Sequence, residues 1–119
     1  MIVRDVRTCS EIRSGDGCRL RQVFNPLQDD LDLGYSFAIA WLHPGESAAL
    51  HCLKSSEVYY ILTGRGELEI GGETAEVLPG RAVYVPPGVR QRIRNTGQVE
   101  LGFICIVDPA WRPEDEEIL

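Results

Sequence analysis

Apolar and polar residues alternate with a period of two along most of this chain, and nowhere do apolar residues recur at i, i+3, i+4, i+7 across an uninterrupted dozen positions. The pattern predicts an all-β protein. It places strands at Ile2 to Val6, Arg19 to Phe24, Tyr35 to Leu42, Ala48 to Leu53, Val58 to Leu62, Glu67 to Ile70, Glu73 to Val77, Ala82 to Val85, Val89 to Arg94 and Glu100 to Val107. Between them, Thr63-Gly64-Arg65-Gly66 and Gly71-Gly72 supply the positive φ that tight hairpins demand, while Pro79-Gly80 and Pro86-Pro87-Gly88 break the ladder and reverse direction. Short strands with regular turns read as a barrel or jelly roll.

Two segments are apolar on both sides, Phe37 to Leu42 and Leu101 to Val107, and a strand buried on both faces needs a second cover. In so small a chain the opposing sheet and a second subunit would supply it, so a homodimer is expected. Because neither face of these strands is polar, parity leaves Trp41 and Phe103, like Tyr84, as undecided candidates for the lining of an internal cavity. Arg90, Arg92 and Arg94 alternate with Gln91 and Ile93, which sends the guanidinium groups outward as a charged face and Gln91 inward.

With 119 residues and 44% hydrophobic content, residues 1–119 are expected to form one domain around a single core, with no linker. The balance of 12 basic against 18 acidic residues gives a net charge of −6, which disfavours nucleic acid and anionic membrane surfaces as partners. MIVRDVRT has no apolar stretch behind a basic start, and no apolar run approaches the roughly 20 residues that span a bilayer, so a cytoplasmic location is expected. Cys9, Cys18, Cys52 and Cys105 are widely spaced and read as reduced thiols; alternation turns Cys52 away from the face that His51 occupies. Gln28 to Asp32 reads as a solvated loop, and residues 112–119 as a solvated acidic tail that Trp111 would pin to the barrel.

The chemistry concentrates in two glycine-anchored blocks, 45–64 and 80–95. The first runs Gly45, five residues, His51-Cys52-Leu53, three residues, Glu57, six residues, Gly64; the second runs Gly80, five residues, Pro86-Pro87-Gly88, two residues, Gln91, three residues, Asn95. In these features the chain resembles the cupins, whose blocks have the forms G-x5-H-x-H-x3,4-E-x6-G and G-x5-P-x-G-x2-H-x3-N. The resemblance implies a cupin double-stranded β-helix of the small single-domain type.

In metal-binding cupins the positions corresponding to His51, Leu53, Glu57 and Gln91 converge on one divalent ion inside the barrel. Here Leu53 stands where the second histidine would be and Gln91 where the third would be, so the ligand set is incomplete. What remains, His51, Glu57 and Gln91, would hold a divalent metal weakly. Without a metal, Glu57 would need a donor or a proton, and the three side chains would grip a small polar ligand. Alternation from Glu57 turns Tyr59 into the same cavity. The expected function is therefore small-molecule binding in the barrel interior. Two alternatives stay open: a small cupin enzyme of the sugar-phosphate isomerase, decarboxylase or dioxygenase type with Glu57 as its best catalytic candidate, and a non-catalytic dimeric scaffold.

Overall fold

Alternation becomes two facing antiparallel sheets in the computed structural model, which describes residues 1–119. The strands are β1 (Glu11–Arg13), β2 (Arg19–Phe24), β3 (Ser36–Leu42), β4 (His51–Leu53), β5 (Ser56–Thr63), β6 (Gly66–Ile70), β7 (Glu73–Val77), β8 (Ala82–Val85), β9 (Gln91–Asn95), β10 (Leu101–Asp108) and β11 (Glu116–Ile118). One sheet has the order β1-β2-β3-β10-β5-β8, the other β11-β4-β9-β6-β7. This is the jelly-roll barrel expected from the sequence. The core between the sheets holds Phe103, Ile61, Leu68, Ile93 and Leu101, all buried.

The hairpin turns follow their glycines. Gly64 has φ +79°, and a Cβ there would stand 2.5 Å from the Glu100 carbonyl oxygen, so this turn requires glycine on both counts. On the outer face of the five-stranded sheet, β6 and β9 pair Glu67 with Arg94 and Glu69 with Arg92. Their ion pairs, at 2.9 and 2.6 Å, neutralise two of the three outward arginines.

The outer face of the six-stranded sheet is its opposite. Register aligns Ile39, Ile104 and Tyr60 in one row and Phe37, Ile106, Val58 and Tyr84 in the next. Arg4 lies over Phe24 at 5.1 Å and Arg21 over Trp41 at 5.7 Å, so the covering from within the chain lies on the β2 side.

The ends of the chain differ from expectation. Ile2 to Val6 forms no strand; a 3-10 turn occupies Val6–Thr8, with Asp5 accepting from the Arg7 backbone N–H at its start. Two three-residue strands, β1 and β11, were not expected. The acidic tail is not a solvated end: β11 pairs antiparallel with β4 in the register Glu116↔Leu53, Glu117↔Cys52, Ile118↔His51. The segment before it is fixed by its backbone, since the Trp111 N–H donates to Ser36 Oγ and its carbonyl accepts from Asn25 Nδ2, both at 2.9 Å.

Candidate functional site

A cavity lies between the sheets, walled by Leu20, Ala38, Ala40, Phe103 and Val107 and polar where β4 and β11 close it. About 40 Å³ is open to a water-sized body, room for roughly three waters. Three carboxyl groups, of Asp16, Glu57 and Glu116, and the His51 imidazole line it, and no lysine or arginine does.

The expected residues divide. His51, Glu57, Tyr59 and Phe103 all line the cavity, on β4, β5 and β10. Gln91 is buried beside them as the β9 partner of His51, but its Oε1 is already taken as acceptor by the Tyr59 hydroxyl. Tyr59 in turn packs its ring against Phe103 with centroids 5.6 Å apart. Trp41 and Tyr84 are not lining residues, which corrects the expectation for both. In β3 the inward positions are the small residues Ser36, Ala38 and Ala40 with Leu42, so Trp41 faces outward under Arg21. In β8 Val85 is buried and its neighbour Tyr84 is 62% exposed. An apolar strand carries no polar residue to report which face is out, and the barrel interior selected the smaller side chains.

Glu57 is 6% exposed and has no cationic neighbour in the cavity. Burial pushes its carboxyl up to about 8, with the Cys105 thiol opposing and the Asp16 charge adding to the rise. The Cys105 and Tyr59 groups are pushed up too, chiefly by burial. Cys18 and Cys105 are thus inert wall thiols, and all four cysteines are free.

Two of the lining carboxyl groups escaped sequence reasoning. Asp16 sits in the turn between β1 and β2, where its carbonyl accepts from the Ala49 N–H at 2.7 Å and so ties the turn to the approach to β4. Its Oδ1 accepts from the Ser14 hydroxyl and from the Cys18 N–H at 3.1 Å, which turns Oδ2 toward His51 Nε2 at 3.3 Å. His51 Nδ1 lies 2.7 Å from the Ala49 carbonyl, so in the neutral ring Nδ1 carries the proton and Nε2 the lone pair. Glu116 enters from β11, directly across from Leu53, with Oε2 accepting from the Trp111 indole N–H at 3.3 Å. Burial raises the Glu116 carboxyl, and the Asp16 charge raises it further. Ligand atoms of Asp16, His51 and Glu116 all lie within 4.8 Å of one another.

The metal centre implied by the cupin blocks does not fit these residues. Leu53 has no donor atom, and the Gln91 amide oxygen is engaged by Tyr59.

Comparison with known proteins gives the same architecture. The chain is 36% identical over 105 residues to MJ1618 of Methanocaldococcus jannaschii, covering 87% of this chain and 83% of that one. It is 33% identical over 72 residues to an oxalate-binding protein of Thermotoga maritima, covering 60% of each. Among solved structures, a predicted oxalate decarboxylase of Thermotoga maritima superposes with a TM-score of 0.77 at 24% identity, covering 92% of this chain and 99% of that one. The last of these shows the fold alone. The Cupin domain model matches residues 39–107, which contain both glycine-anchored blocks. With that match and the relationship to MJ1618, the chain belongs to the cupin family.

Proposed function

We propose that this chain binds a small molecule of a few heavy atoms inside the barrel. The observation that carries the reading is the cavity, apolar along its walls and polar at one end. Gln22 adds to it. That side chain lines the cavity with its Oε1 buried and without a hydrogen-bond partner, so an entering donor would satisfy an acceptor that the protein leaves open. The Asp16 and Glu116 carboxylates, with no lysine or arginine beside them, repel a free anion; a neutral or cationic ligand meets no such barrier, and an acidic one needs a cation between itself and the wall. Titrating ¹⁵N-labelled protein with small amides, amines and carboxylic acids tests this. The expected result is shifts in the amides of Ala38, Ala40 and Phe103 with at least one class, lost when Ala40→Leu fills the space. Shifts confined to the outer surface, or none, refute it.

Glu57 supports a second, enzymatic reading. A carboxyl that keeps its proton near neutral pH in the same cavity as an imidazole is suited to general acid–base work. Turnover of a bound ligand that disappears in Glu57→Gln while binding persists distinguishes catalysis from binding alone.

A second copy is the cover we assign to the outer face of the six-stranded sheet. Strands β3, β10 and β5 are hydrogen-bonded on both edges, so a cover must come face-on, and the chain has no α-helix to lie there. The apolar rows on this face, against the ion pairs outside the other sheet, suit self-association about a two-fold axis. Light scattering should give a dimer that Ile106→Glu dissociates; a monomeric native chain refutes the assignment.

A further inference from the structure

We propose that Asp16, His51 and Glu116 bind one divalent first-row transition-metal ion at the β4–β11 end of the cavity, a centre displaced from the positions that the cupin blocks mark out. The register states the substitution. Leu53 removes a ligand from β4, and the residue directly opposite it on the adjacent strand is Glu116, which restores a donor to the same end of the barrel from the C-terminal segment. Asp16 adds a second carboxyl from the β1–β2 turn. Only His51 is common to both sets.

Each of the three side chains is built as a ligand with an outer support. Asp16 commits Oδ1 to Ser14 and the Cys18 N–H, His51 commits Nδ1 to the Ala49 carbonyl, and Glu116 commits Oε2 to the Trp111 indole. One polar atom of each is thereby fixed by the scaffold, the arrangement that orients metal ligands. The facing pair, the His51 Nε2 lone pair and Asp16 Oδ2 at 3.3 Å, are both acceptors while the imidazole is neutral, and a cation between acceptors resolves their mutual repulsion.

Size and charge agree. Ligand atoms on opposite sides of an ion with bonds of about 2.0–2.6 Å stand about 4–5 Å apart, and these lie within 4.8 Å of one another. Two carboxylates and a neutral imidazole carry two negative charges that a divalent ion cancels, in a cavity without lysine or arginine. The imidazole selects a transition ion over calcium or magnesium. Gly15 gives the carboxyl its room, because a Cβ there would collide with Glu116 Oε1. Three protein donors leave coordination positions open toward the cavity, where water or an oxygen-bearing ligand would complete the shell.

The site shares its cavity with the small-molecule reading, but its test uses the ion alone and so succeeds or fails separately. Metal-free protein is titrated with Mn²⁺, which disfavours the cysteine thiols, and the free ion is counted by its electron paramagnetic resonance signal. The expected result is one ion per chain, with affinity at least about tenfold weaker in Asp16→Asn and in Glu116→Gln and changed less than about threefold in Glu57→Gln. Circular dichroism verifies folding; should Asp16→Asn unfold, Glu116→Gln on the edge strand decides alone. Absence of stoichiometric binding overturns the proposal. So does binding that Glu57→Gln weakens tenfold and Glu116→Gln leaves intact, since the ion would then occupy the family's positions.

Discussion

Two polar groups of three stand at this cavity, and they are built in opposite ways. Glu57, Tyr59 and Gln91 stand on β5 and β9 in the barrel interior, where the Tyr59 hydroxyl and the Gln91 amide satisfy each other. Asp16, His51 and Glu116 stand where the two chain ends meet β4, and each is tethered to the scaffold through one polar atom while the three carboxylate and imidazole tips converge. A polar group whose hydrogen bonds close internally stabilises the fold and has little left for a ligand. One tethered from behind is preorganised for whatever arrives in front. The contrast assigns structure to the inner trio, Glu57 excepted, and recognition to the outer one.

The sharpest way to break that assignment is to compare truncations. Tyr59→Ala removes a ring that is 2% exposed and packed on Phe103, and strands the Gln91 amide, so it should lower unfolding free energy by about 3–5 kcal/mol. Glu116→Gln, half-buried on a three-residue edge strand, should cost less than about 1 kcal/mol. Urea unfolding of both variants measures the difference. Equal costs would mean that the outer trio is as structural as the inner.

Glu57 is the member of the inner trio that breaks its rule, and pH exposes it. The native state holds its proton up to about 8, whereas the unfolded chain releases it near the ordinary value of 4.5. Between those values the folded form carries more protons than the unfolded one, so this residue makes stability fall as pH rises through the window. Glu57→Gln should remove that decline and raise stability above pH 8 by on the order of 5 kcal/mol. Thermal melts in chelator, taken across the window for both proteins, measure it. Parallel profiles would show that Glu57 is not the buried proton-holding group.

The same division separates what was legible in the sequence from what was not. The two glycine-anchored blocks located β4, β5, β8 and β9, and alternation from Glu57 correctly turned Tyr59 inward, because one face of β5 is marked by a charged residue. Trp41 misled because β3 alternates small against large rather than polar against apolar. Asp16 and Glu116 were invisible for a different reason. β1 and β11 are three residues long, too short for a period to register, and Glu116 lies in the run Glu114-Asp115-Glu116-Glu117, whose composition is that of a solvated tail. Only pairing with β4 distinguishes it from its neighbours, turning Glu116 into the cavity while Glu117 faces Cys52 at 3.8 Å. A site assembled from both ends of a chain leaves no local spacing to read.

The smallest expected change in stability tests the comparison most narrowly. Gly15 has no positive φ, so Gly15→Ala introduces no backbone strain, and lowering the entropy of the unfolded chain favours the alanine by about 0.4–1 kcal/mol. The added Cβ would meet Glu116 Oε1, the end of a flexible side chain that can swing away, so the net effect on unfolding should stay within about 1 kcal/mol. Yet that swing withdraws the carboxyl from Asp16 and His51 and removes the acceptor of the Trp111 indole N–H. Mn²⁺ affinity should therefore fall while stability holds, and Trp111 emission should change in the metal-free protein. If Gly15→Ala leaves both unchanged, Glu116 does not depend on that gap, and the outer trio loses the member that the C-terminal strand supplies.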